Sequence, residues 1–216
     1  MPDRTLMMGV LASGRGSNLQ AILDAIAAGR LDAKVAIVIS DREDSQALER
    51  ARAAGLMTRF VNPKAFPTRE AHDAYLAEEL RRAGVEVLVL AGYMRIVTRE
   101  LLDTFPDRII NVHPSLLPAF PGMRAQRQAV EYGVKLSGCT VHFVTEHVDD
   151  GAIILQAAVP VHDDDTEASL ADRILVQEHR LLPEALQLYA EGRLSIVGRR
   201  VVIAPPVHAT GHPRET

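Results

Sequence analysis

Apolar runs and helical repeats alternate through the first half of the chain. Residues 6–12 and 35–39 are nearly continuous apolar stretches, as strands covered on both faces should be. Between them Leu19, Ile22, Leu23 and Ile26 recur at helical spacing, and Gly29 stands where a helix would stop. The same reasoning predicts helices over residues 45–54 and about 68–83, closed by Gly55 and Gly84, then a buried strand over residues 85–90. Such alternation implies a parallel sheet with right-handed crossovers.

Residues 108–112 read as a short buried strand, and the pattern changes after His113. Residues 125–132 read as a helix and 136–144 as a strand, with 153–161 its antiparallel partner. Asp165 or Thr166 caps a long helix, in which Pro183 marks a break or the start of a second helix. The expected fold is α/β: a Rossmann-like, mostly parallel sheet flanked by helices, with an antiparallel strand pair in the C-terminal half. One unit spans residues 1–204, divided into a phosphate-binding lobe over about 1–105 and a catalytic lobe over about 106–204. Residues 205–216, rich in Pro and His without periodicity, are expected to form a flexible tail.

Composition narrows the function classes. At 216 residues, 47% hydrophobic and 24% charged, the chain is ordinary for a soluble globular protein. A net charge of −4 gives no general attraction to nucleic acid or an anionic membrane. Trp is absent and aromatics are 4%, so a base-stacking platform is not expected. Cys139 is the only cysteine, which excludes an internal disulfide and reads as a small buried core residue. No apolar run approaches a membrane span and the first residues make no convincing signal peptide, so the expected location is the cytoplasm.

Three segments carry groups capable of chemistry. Ser13-Gly14-Arg15-Gly16-Ser17-Asn18 lies between the first strand and its helix. Glycines there let the backbone approach a ligand, and a helix amino terminus offers N–H donors, which suits a phosphate. The alternative is a Gly-rich connection that binds nothing. A dinucleotide fingerprint wants a third glycine where Leu19 stands, although Asp41 is placed for a ribose, and the lysine of a triphosphate loop is missing. A monophosphate therefore fits better than a dinucleotide.

Asn111 and His113 lie two residues apart on a strand, so their side chains share a face, before Pro114 and Pro118 stop the strand and stiffen the loop. An amide donor and a titratable ring at the carboxyl end of a strand sit where open α/β sheets build sites. The plainer reading is a Pro-rich turn. Glu146-His147-Val148-Asp149-Asp150-Gly151 is either a solvated acidic tip or, if residues 136–144 pair beside the Asn111 strand, a source of a carboxylate for His113. His142, His147, Asp149 and Asp150 match no zinc or calcium spacing, so no metal is expected. Arg50, Arg52, Arg199 and Arg200 read as solvated faces.

Taken together, these segments make the chain resemble the phosphoribosylglycinamide formyltransferases, a folate-dependent family of purine synthesis. The likeness runs from about Leu6 to Ile196. It rests on residues 13–20, on Leu90-Ala91-Gly92-Tyr93-Met94-Arg95-Ile96, on residues 111–118, on Gly138-Cys139-Thr140-Val141-His142-Phe143-Val144 and on residues 149–156. The resemblance implies that Asn111, His113 and Asp149 are the catalytic trio and that Gly16, Ser17 and Asn18 hold the phosphate of glycinamide ribonucleotide. Glu178 would contact the glycinamide amine side. Met94, Arg95, Ile96, Val97 and the backbone of residues 145–149, Asp149 included, would form the pocket for 10-formyltetrahydrofolate, with Arg69 near its glutamate tail. Transfer would be direct, without metal, with a monomer or homodimer as the working form. Many relatives have His where this chain has Gln126, which leaves the role of that position open, and Leu175 stands where some have a polar residue.

The chemistry agrees with the resemblance. Attack of an amine on a formyl carbon builds an oxyanion, which the Asn111 amide and a protonated His113 are suited to stabilise, while Asp149 holds His113 charged and relays the amine proton. A tRNA-directed formyltransferase would need a larger, more basic chain. A formyltetrahydrofolate deformylase is expected to carry a further domain ahead of the first strand. An NAD-dependent oxidoreductase leaves the trio without a shared purpose, and a silent sugar-phosphate-binding module has no use for it.

Overall fold

The computed structural model describes residues 5–206. In chain order the elements are β1 (Leu6–Ala12), α1 (Ser17–Ala27), β2 (Ala33–Ser40), α2 (Gln46–Ala53), β3 (Thr58–Phe60), a 3-10 turn at Pro63–Ala65, α3 (Arg69–Arg82), β4 (Val87–Leu90), α4 (Arg99–Thr104), β5 (Ile109–His113), α5 (Ala125–Tyr132), β6 (Leu136–Phe143), β7 (Ile153–Pro160), α6 (Glu167–Ala190), β8 (Leu194–Val197) and β9 (Arg200–Ile203). Among the described residues the strands form one nine-stranded sheet in the order β3-β2-β1-β4-β5-β6-β7-β9-β8. The first five positions are parallel, and β6 then runs antiparallel to both β5 and β7.

Both faces of the sheet are covered over its central strands β1, β2, β4, β5 and β6, as their apolar runs require, whereas β8 and β9 are mostly exposed. Met8, Val10, Val38, Val87, Val89, Ile110 and Val112 point to one face and meet Leu19 and Ile22 of α1, Leu48 of α2 and Leu170, Leu182 and Leu186 of α6. Leu11, Ile37, Ile39, Leu88 and Ile109 point to the other and meet Leu76 and Leu80 of α3 and Leu101 and Phe105 beside α4. Because side chains alternate with period two, Asn111 and His113 share the Ile109 face. Cys139 is fully buried on β6, and burial pushes its thiol up to about 12.

Several boundaries follow from local chemistry. Ser45 accepts from the Ala47 N–H at the start of α2, Thr68 from Ala71 at the start of α3, and Thr166 with Ser169 forms a reciprocal cap on α6. Gly29, Gly55 and Gly84 take positive φ just past α1, α2 and α3, where the sequence places their stops.

The structure corrects two readings. Pro183 neither breaks nor starts a helix, because α6 runs through it unbroken from Glu167 to Ala190. An interior proline costs about 3 kcal/mol, and the buried Leu170, Ile174, Leu181, Leu182 and Leu186 around it offset that loss. The C-terminal half holds more sheet than expected, since β8 and β9 form a hairpin joined to β7 through Ile153 and Arg200. Of the expected tail, Pro205 and Pro206 lack regular structure and residues 207–216 lie outside the described residues.

A candidate active site at the carboxyl ends of the central strands

Strand order reverses between β1 and β4, and at such a switch point the loops leaving the carboxyl ends part to form a crevice. Residues 13–18 leave β1 on one side, and residues 91–97 leave β4 on the other. The two loops are tied together: the Ser13 N–H donates to the Gly92 carbonyl at 3.0 Å, and the Met94 N–H donates to Ser13 Oγ at 2.9 Å.

Gly16 caps α1 at φ 69° without a side-chain cap, so the first-turn N–H groups are presented at the loop. A Cβ at Gly16 would lie 2.6 Å from Ala47 Cα, which excludes any larger residue where α1 and α2 approach. Asn18 turns inward, and its Nδ2 donates to Glu178 Oε2 at 2.8 Å. Burial pushes the Glu178 carboxyl up, opposed by the Asn18 hydrogen bond and by Arg15. Beside the loop, Ser17, Gln20, Asp24, Arg30, Arg50 and His179 line an open hollow of about 410 Å³. Asn18 Oδ1 and His179 Nε2 are buried and have no hydrogen-bond partner among the described residues. Asp41 Oδ1 is likewise buried and unpartnered.

On the other side of the switch point, Asn111 and His113 end β5 and face a cleft of about 350 Å³ whose walls include Met94, Ile96, Val97 and Val148. β6 pairs antiparallel with β5, placing His142 opposite Asn111 and sending the following loop back over His113. Asp149 Oδ2 lies 3.3 Å from His113 Nδ1 and accepts the Gly122 N–H at 2.7 Å. Asp149 holds φ 53°, a left-handed conformation that Asp tolerates better than most residues. Gly151 just beyond it lies so close to the Phe143 carbonyl that a Cβ would overlap it.

Hydrogen-bond accounting assigns roles to both rings. His113 Nε2 faces the Phe120 carbonyl at 2.9 Å while Nδ1 faces Asp149, so only the doubly protonated imidazolium can donate on both sides. Neither N–H is then free for a substrate oxygen unless the Phe120 carbonyl gives way. His142 Nδ1 faces the Phe143 carbonyl at 2.9 Å, and its Nε2 lies 3.2 Å from Asn111 Nδ2 and 3.7 Å from Asp149 Oδ1. Burial pushes the His142 ring toward its neutral form, with the Phe143 carbonyl and Asp149 opposing and His113 assisting.

The structure brings Asn111, His113 and Asp149 together, and sets Met94, Arg95, Ile96 and Val97 across the cleft from them. Gln126 also lines the cleft. Arg69 opens α3, is exposed, and is not part of the cleft wall. Two supposed solvated arginines have partners. Arg50 donates to the Arg15 carbonyl at 2.9 Å, and Arg199 holds Asp150 at 2.8 Å. The sequence reading also missed the pairing of His142 with Asn111, whose signal was their presence on adjacent antiparallel strands. No group of three His, Cys, Asp or Glu residues able to hold a metal ion occurs among the described residues. No described helix is long and apolar enough to cross a membrane.

A Gly-rich loop at a helix amino terminus and an Asn–His–Asp cluster lie around one crevice, and residues 7–186 match the Formyl transferase family model. The chain belongs to the formyl transferase family. It is 58% identical to glycinamide ribonucleotide transformylase 1 from Symbiobacterium toebii, whose solved structure superposes with a TM-score of 0.93 over 95% of this chain and 96% of that one. It is 44% identical over 187 residues to phosphoribosylglycinamide formyltransferase of Escherichia coli (strain K12), covering 88% of that protein and 87% of this chain. It also matches the trifunctional purine biosynthetic protein adenosine-3 of Drosophila pseudoobscura pseudoobscura at 47% identity over 92% of its own length, spanning only 15% of that protein.

Proposed function

We propose that this chain transfers the formyl group of 10-formyltetrahydrofolate to the amine of glycinamide ribonucleotide, in the purine-synthetic role of its relatives. The observation that carries the reading is the Asp149–His113 pair at 3.3 Å, beside Asn111 in the wall of the cleft. The ribonucleotide phosphate sits on the N–H groups and hydroxyl of residues 16–18, and Glu178, oriented by Asn18, faces the glycinamide end. The folate lies in the cleft against Met94, Arg95, Ile96, Val97 and the loop that ends at Asp149. Arg69, from the exposed start of α3, contacts only the outermost part of its glutamate tail.

The amine attacks the formyl carbon and forms a C–N bond, placing negative charge on the formyl oxygen. Asn111 donates one N–H to that oxygen. The same oxygen takes over His113 Nε2–H from the Phe120 carbonyl, and Asp149, 3.3 Å from His113 Nδ1, orients the ring. Asp149 takes the amine proton, directly or through water, and delivers it to the folate nitrogen as the old C–N bond breaks. No step needs a metal. In this reading residues 1–204 act as one unit, as a monomer or homodimer in the cytoplasm, without nucleic acid.

The test mixes the purified protein with glycinamide ribonucleotide and a 10-formyl folate and follows folate absorbance. Turnover that requires both substrates and is lost in Asp149→Asn supports the proposal. Folate turnover without the ribonucleotide makes the protein a hydrolase, and absence of any turnover overturns the reading.

A further inference from the structure

We infer that His142 is a positioning residue that fixes which way round the Asn111 carboxamide faces the reacting oxygen. The inference rests on the reading of Asn111 as an oxyanion donor, but its geometry stands apart from it. His142 Nδ1 lies 2.9 Å from the Phe143 carbonyl, which can only accept, so Nδ1 carries a proton. Burial keeps the ring neutral, so Nε2 is left with a lone pair. The Asn111 group 3.2 Å from that lone pair must be a donor, which makes it the amide nitrogen and not the oxygen. The second N–H of the same nitrogen is then available to the cleft that Asn111 lines.

Without this lone pair the amide has no reason to prefer one orientation. Turned over, it would present its carbonyl oxygen to a developing negative charge and oppose the reaction it otherwise assists. His142 thus sets the sign of a dipole at the reacting centre while remaining buried behind it. The charged groups facing the ring are Asp149 from the loop and His113 from β5. When acid protonates His142, Nε2 becomes a donor that turns to Asp149 Oδ1, now 3.7 Å away, and its hold on Asn111 is lost. Neutral His142 is therefore the working form, and activity falls as the pH drops through its depressed titration range.

The experiment has one arm that needs no variant. Nitrogen-15 NMR of the histidine-labelled wild-type protein at neutral pH reports the tautomer of each ring. A neutral, Nδ1-protonated His142 is expected, and an Nε2-protonated ring overturns the inference. The second arm is a double-mutant cycle on formyl transfer. His142→Leu should lower kcat by roughly ten- to a hundredfold, approaching the cost of losing one oxyanion donor. In an Asn111→Ala background the same change should cost less than about threefold, because its target is gone. His142→Gln, whose side-chain oxygen can accept the same N–H, should recover most of the loss and remove the His142 step from the pH profile. Independent, multiplying losses in the cycle, or no rescue by Gln, overturn the assignment. Wild-type turnover checks the reaction itself separately, since the tautomer is read without substrate.

Discussion

Two loops at the site, residues 13–18 and residues 145–150, offer different kinds of group. Residues 13–18 present backbone N–H groups, aimed by the start of α1 and held where Gly14 and Arg15 carbonyls meet Ser45, Ala47 and Arg50. Residues 145–150 present side chains, three of them steadied by a distant partner: Glu146 by Arg99, Asp149 by Gly122, Asp150 by Arg199. A site made of backbone survives the loss of most side chains, but not a change that moves the chain. A site made of side chains is lost one residue at a time. The difference predicts where single substitutions will act on kcat and where they will act on binding.

The largest effect should come from the side-chain half. His113→Ala or Asp149→Asn should lower kcat by at least about a hundred- to a thousandfold with modest change in either KM, as steady-state kinetics would read. Activity within about tenfold of wild type would remove these residues from the mechanism. In the backbone half, Gly16→Ala meets both the positive φ and the Ala47 backbone. It should raise KM for the ribonucleotide by roughly tenfold and lower the melting temperature, whereas Ser17→Ala should cost only a few-fold.

Glu178, which accepts a hydrogen bond from Asn18 of the first loop, yields a prediction of opposite sign for stability. Its folded-state titration lies above the unfolded one because of burial, so its charged form opposes folding once the pH passes the ordinary glutamate range. Glu178→Gln should raise the melting temperature by about 2–4 °C at neutral pH. It should leave stability unchanged well below the ordinary glutamate range and weaken use of the ribonucleotide at every pH. The smallest effect belongs to Arg199→Ala. The ion pair with Asp150 is exposed, so KM for the folate should rise less than about threefold, and the change should vanish at high salt.

The backbone half was also the easier one to read. β1, residues 13–18 and α1 follow one another in sequence, and their glycines, caps and apolar spacing are local signals. Asn111 and His113 were legible as a same-face pair because period two is a property of any strand. The approach of a carboxylate to His113 was open in the sequence, conditional on β6 pairing beside β5, and only the family resemblance singled out Asp149. What escaped depends on partners distant in sequence or on elements too short to show a period. β3 has three residues and α4 six, below the length at which periodicity separates helix from strand. The β8–β9 hairpin turns at Gly198-Arg199 and Arg200 opens β9; the charges of the two arginines suggested solvent, although Arg199 reaches back to the loop carrying Asp149. Pro183 was a local signal that tertiary packing overruled. The His142–Asn111 contact needed the register of two strands and the position of one carbonyl, neither of which a sequence displays.

Ser13 has a consequence for anyone designing a molecule to occupy both halves at once. Its N–H and hydroxyl oxygen carry the β1–β4 ladder beyond the strands and into the two loops. Under the proposed function, the span from the phosphate-binding loop to the folate cleft is therefore tied to the sheet, and a tether joining a phosphate mimic to a folate mimic has to match it.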